Sequence, residues 1–176
     1  MSTTTRGIDY ATLTLKDALD LAVLVEEEAQ ERYEELTHQM ETHRTPEAAA
    51  FFRYMAANES KHAEVLKKRR QALFGDAERA VKRTMIFDIE APDYDEARAF
   101  MSPRQAMATA LRSEEKAHAF FVAALPRLID PEVKALFEEL CAEEVHHQEL
   151  VKREIAKLGP DNDIDGDTFV DEPVGH

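Results

Sequence analysis

The sequence predicts an all-α protein, a four-helix bundle of two antiparallel hairpins joined by a long crossover. Three observations predict it. Ala, Leu, Glu, Lys and Arg dominate the 176 residues, with only 5 Gly and 7 Pro, and such a composition favours helix. Long stretches carry apolar residues at helical spacing. Capping residues, prolines and glycines mark where those stretches start and stop.

Taken in order, residues 1–14 form an N-terminal extension and 15–158 the bundle. The first helix is expected over about 15–43, opened by Thr14 with Asp17, with the stripe Leu15, Leu19, Ala22, Ala29, Tyr33 and Met40. The second is expected over about 46–74, between the cap pair Thr45–Pro46 and Gly75, with Phe52, Met55 and Leu66 on its stripe. A Thr, Ser or Asp cap satisfies orphan amides, and a proline at the first helical position has no amide to lose. The crossover occupies about 75–102, with a short helical piece at "DYDEARAF" (93–100). Its length is needed because a helix of ~28 residues is ~42 Å long, and the chain must travel that distance to begin a parallel third helix. The third helix is expected over about 103–129, opened by a capping box of Ser102 and Gln105 around Pro103. Its stripe is Met107, Ala110, Leu111, Ala117, Phe121 and Leu125. The fourth is expected over about 131–158, between Asp130–Pro131 and Gly159–Pro160, with Val133, Phe137, Leu140, Val151 and Leu158. Short connections within each pair make antiparallel hairpins. Residues 159–176 are an acidic tail.

Bulk properties exclude several classes. No apolar run approaches the ~20 residues of a membrane span, and "MSTTTRGIDYATLT" lacks the apolar core of a signal peptide. The single cysteine, Cys141, excludes an internal disulfide and any four-cysteine metal site, so the cytoplasm is the expected compartment. A net charge of −14 opposes binding to nucleic acid. It suits cations, or simply a solvated acidic surface.

Each stripe is interrupted near its middle. The intruders are Glu26 in the first helix, Glu59 and His62 in the second, Glu114 in the third, and Glu144 and His147 in the fourth. A buried carboxylate is costly unless it is paired or binds a metal. Two divalent ions would balance four carboxylates. Residues three apart share a helix face, so Glu59 with His62, and Glu144 with His147, can each converge on one ion. A glutamate from each of two helices plus Glu-x-x-His from each of the other two is the di-iron or di-manganese carboxylate pattern. The competing reading is a buried Glu–His ion-pair network without metal.

An internal repeat supports the convergence. "EEEAQERY" (26–33) parallels "EEKAHAFF" (114–121), and "AANESKHAEVL" (56–66) parallels "CAEEVHHQELV" (141–151). The four segments should therefore surround a pseudo-twofold axis. Further Glu-x-x-His matches at Glu35/His38, Glu115/His118 and Glu143/His146 fall off the stripes at ~100° per residue and are expected to face solvent, with His118 near the core edge.

Four other features draw readings. Tyr33 is a candidate to touch a ligand carboxylate through its hydroxyl, although Phe121 occupies the equivalent repeat position. Cys141 matches Ala56 and is expected to be a small core residue. "KKRR" (67–70) lies near a helix end, where it complements the dipole. "DNDIDGDTFVDE" (161–172) matches a calcium loop at Asp161, Asp163, Asp165, Asp167 and Glu172, against the plainer reading of a solvated tail.

In the order "EEEAQERY", "NESKH", "EEKAHAFF" and "EEVHH", with a long connection in the middle, the chain resembles the rubrerythrin branch of the ferritin-like superfamily over about 15–158. The resemblance implies a ferritin-like bundle and a di-iron centre ligated by Glu26, Glu59, His62, Glu114, Glu144 and His147, with Glu59 and Glu144 bridging. It also implies reduction of peroxide or oxygen coupled to oxidation of ferrous iron, and a homodimer. Two departures stand out. The sequence lacks the Cys-x-x-Cys pairs of a rubredoxin domain, so electrons come from ferrous iron or a separate donor. Rubrerythrins also carry a glutamate three residues after the third-helix ligand, where this chain has Ala117. The alternative is an iron-binding or storage protein without dedicated turnover, or a structural bundle without metal.

Overall fold

The computed structural model describes residues 4–5, 7–86, 89 and 102–159. The expected helical piece at 93–100 and the calcium-loop residues Asp161, Asp163, Asp165, Asp167 and Glu172 lie outside the described residues. A two-stranded antiparallel ladder, β1 (Thr4–Thr5) and β2 (Ile8–Asp9), turns through Gly7 at φ +79°. Five α-helices follow among the described residues: α1 (Leu15–Thr42), α2 (Pro46–Phe74), the short α3 (Arg83–Ile86), α4 (Pro103–Ala124) and α5 (Pro131–Lys157). The architecture is the all-α, ferritin-like bundle that the sequence predicts. Helices α1 and α2 pack as one hairpin, α4 and α5 as the other, and α1 also meets α5.

Local chemistry explains most boundaries. Thr14 Oγ1 accepts the Asp17 amide at 3.2 Å. Ser102 and Gln105 form the expected capping box, and Asp130 accepts from Glu132 and Val133 at 2.8 and 3.3 Å. Thr45 departs from expectation. Its hydroxyl donates back to the Met40 carbonyl at 3.0 Å and caps no amide of α2. Helix α4 also ends earlier than the sequence reading, at Ala124. Pro126 lacks an amide and its ring crowds the preceding turn, so the chain continues as a 3₁₀ turn over Leu125–Arg127.

Two apolar clusters make the core. One includes Leu19, Val25, Leu66, Phe121, Phe137 and Leu140. The other includes Tyr33, Met40, Phe52, Met55, Met107 and Val151. Along every long helix the interrupting glutamates and histidines fall between the two clusters. Helix α1 is buried on all sides from Ala18 to Glu26. The extra cover comes from the N-terminal segment (Ile8, Tyr10, Leu13) and the crossover (Val81, Ile86, Ile89), all within the first cluster. Asp20, fully buried there, is held by Arg70 at 2.8 and 3.2 Å. The same guanidinium donates to the Gly75 and Ala77 carbonyls at 2.6 Å each, which closes the end of α2. Within "KKRR", Arg70 thus serves the helix end. Lys67 pairs with Glu27 at 2.8 Å and Arg69 with Glu139 at 3.4 Å.

Candidate metal centre

Four long helices each deliver their interrupting residues to one polar layer. Helix α1 supplies Glu26, α2 supplies Glu59 and His62, α4 supplies Glu114, and α5 supplies Glu144 and His147. Glu26, Glu59, Glu114, Glu144 and His147 are buried; His62 is half-buried. These six, with Glu143, fall into three overlapping groups, each with ligand atoms within 4.8 Å of one another. Glu59 joins His62 and His147; Glu114 joins Glu144 and His147; Glu26 joins His62 and Glu143.

The distances suit shared cations. Donor–metal bonds of about 2.0–2.2 Å put two donors of one ion about 2.9–4.3 Å apart as their angle opens from 90° to 180°. His147 Nδ1 lies 3.3 Å from Glu59 Oε1 and 3.4 Å from Glu114 Oε2. His62 Nδ1 lies 3.8 Å from Glu26 Oε2 and 3.9 Å from Glu143 Oε2. The two imidazoles stack at 5.2 Å between centroids, inclined by 8°. Neither ring nitrogen of buried His147 makes a hydrogen bond among the described residues. A buried imidazole whose nitrogens lack hydrogen bonds is costly, and a cation shared by Nδ1 and the two carboxylates facing it would relieve that cost. The donor set therefore fits a pair of divalent metals.

Electrostatics differ across the layer. Burial pushes the Glu114 carboxyl up, but the His147, Glu144 and Tyr33 side chains beside it outweigh burial, and the net direction is down. The neighbouring Glu26 carboxylate, opposed by burial and reinforced by the charge of Glu143, raises His62. The lone pair that a metal needs is then protonated more readily, so cation and proton compete for it. Burial raises Glu143.

Tyr33 donates its hydroxyl to Glu114 Oε1 from the opposite hairpin. Phe121, at its repeat position, has no hydroxyl to offer Glu26. Glu35 and His38 are exposed, as are Glu115 and His146, while His118 is half-buried. Glu143 departs from expectation: it is half-buried and reaches His62. Its angular position one step off the stripe points it to the rim between α2 and α5, which sequence spacing within one helix does not reveal. Cys141 is half-buried at the edge of the first cluster rather than within it.

Comparison with known proteins agrees with this arrangement. The rubrerythrin family model matches residues 17–155. The chain is also similar to a solved structure, an uncharacterized conserved protein from Magnetospirillum magnetotacticum MS-1. The two share 32% identity at a TM-score of 0.70, over 84% of this chain and 97% of that one. Nothing matches among curated proteins.

Proposed function

Because this chain belongs to the rubrerythrin family, we propose that it holds two iron ions among Glu26, Glu59, His62, Glu114, Glu144 and His147 and reduces peroxide or oxygen as ferrous iron is oxidised. The observation that carries this reading is the convergence of three donor groups on one layer, with His147 buried and its ring nitrogens without hydrogen bonds. The chemistry a bound pair supplies is a two-electron reduction, one electron from each ferrous ion. Manganese fits the same oxygen and nitrogen donors.

The residues divide the work. Glu59 lies within reach of both histidines and would be the residue to span two ions. Glu144, grouped with Glu114 and His147, is the matching candidate. His62 and His147 would bring nitrogen donors, and the carboxylates would bring the negative charge that favours a ferric product. The Tyr33 hydroxyl fixes one oxygen of Glu114 and leaves the other facing His147. The half-buried rim at His62 and Glu143 is the side from which a small oxidant reaches the layer. The proposal extends to a cytoplasmic homodimer served by a separate electron donor. Among the described residues no helix is long and apolar enough to cross a membrane.

Ala117, where rubrerythrins carry a further glutamate, favours a second reading: iron binding without dedicated turnover. Anaerobic loading with ferrous ion followed by rapid mixing with peroxide or oxygen separates the two. Fast oxidation that repeats when reductant is supplied supports the enzyme. Stoichiometric binding with a single slow oxidation supports the second reading, and no binding overturns both.

A further inference from the structure

We propose that Glu143 is an additional ligand at the solvent edge of the centre, sharing a cation with Glu26 and His62, so that the two ends of the layer bind divalent metal unequally. The inference rests on the di-metal reading above. Two carboxylate oxygens, Glu26 Oε2 at 3.8 Å and Glu143 Oε2 at 3.9 Å, address the same imidazole nitrogen of His62. Both separations lie within the span allowed to donors of one ion. The three side chains grade from core to water, at 4% exposure for Glu26, 29% for His62 and 41% for Glu143. A hydrated cation approaching from solvent would meet the Glu143 carboxylate first and could exchange waters for Glu143, His62 and Glu26 in turn.

The internal repeat supplies the contrast. With the offset between "AANESKHAEVL" and "CAEEVHHQELV", the partner of Glu143 is Asn58. The His147 end therefore lacks a carboxylate from the matching position. Ala117 adds none from α4, so Glu143 brings from α5 an oxygen donor that the six stripe residues do not include. Glu115, the neighbour of Glu114, is exposed and joins none of the three groups. An acidic residue beside a stripe glutamate is thus not enough; the rim position of Glu143 distinguishes it.

The test is anaerobic calorimetric titration of the intact chain with manganous and ferrous ion. The unaltered chain should take two equivalents. Glu143→Gln should keep one equivalent at unchanged affinity and weaken the other at least about tenfold, the lower bound seen when support around a metal ligand is lost. Glu115→Gln should leave both unchanged. Glu143→Asp, which keeps the charge on a shorter arm, should fall between Gln and the unaltered chain. Helical circular dichroism checks that each variant folds. Two unchanged equivalents in Glu143→Gln overturn the inference while the di-metal reading stands. Equal weakening of both equivalents also overturns it, since that is a diffuse charge effect. Fewer than two equivalents in the unaltered chain overturn the di-metal reading and the inference together.

Discussion

The His147 end and the His62 end of the polar layer are built from matching sequence segments, yet their environments differ. His147 is 2% exposed and flanked by Glu59 and Glu114, and Glu114 is anchored by a phenol from the other hairpin. His62 is 29% exposed, faces Glu26 and Glu143, and has Phe121 rather than a tyrosine at the repeat position that would serve Glu26. The difference teaches that the repeat fixes which side chains enter the layer, while burial and a few unmatched positions decide how tightly each end is held. One end is buried and anchored, and the other is half-exposed.

Cation binding probes both ends at once and carries the largest expected effect. At a thousandfold excess of ferrous or manganous ion over its Kd, a single site adds about 4 kcal/mol to folding stability. For a chain of this size that is a rise in Tm of about 8–16 °C, reversed by a chelator. An unmoved Tm in differential scanning calorimetry would mean that neither end takes a cation.

Next comes the contrast between the histidines in chelator-treated protein. His147→Ala opens a cavity and leaves two buried carboxylates without the ring between them, and should cost about 2–4 kcal/mol in urea denaturation. His62→Ala, at the half-buried rim, should cost about 1 kcal/mol or less, near the centre of ordinary single-substitution losses. Equal losses would erase the distinction between the ends.

Tyr33→Phe sharpens the comparison by making the two repeat positions alike. A hydrogen bond to a charged group is worth about 1.5–3 kcal/mol, and its loss should appear as a lower urea midpoint with an unchanged slope. A midpoint that does not move would show that Glu114 needs no anchor. The smallest effect separates the hairpin turns themselves. Arg44 holds a left-handed backbone at φ +59° in the α1–α2 turn. Arg44→Gly should therefore stabilise the chain by about 0.5–1 kcal/mol, readable as a rise in Tm of a few degrees.

Much of this molecule was legible in its sequence because the signals are local. Ser102, Asp130 and Thr14 act on amides two or three residues away, so caps could be read from spacing alone. The interrupting residues could also be read, because Glu26, Glu59, His62, Glu114, Glu144 and His147 break apolar stripes, and the structure brings all six into one layer. What escaped depends on packing between elements. Glu143 meets His62 only because α2 and α5 lie side by side at the rim. The cover over Ala18–Glu26 comes from the N-terminal segment and the crossover, which a stripe read on α1 alone does not anticipate. Thr45 had an alternative partner in the Met40 carbonyl, and Pro126 ended α4 inside a stretch whose periodicity continued past it.

The phenol that reaches from α1 to Glu114 also makes the molecule its own optical gauge. The chain has no tryptophan and four tyrosines, so tyrosine carries its near-ultraviolet signal. Separating the hairpins would strip the Tyr33 ring of its carboxylate acceptor and alter its absorbance and emission. Docking of the two halves can thus be followed by light alone, without attaching a dye.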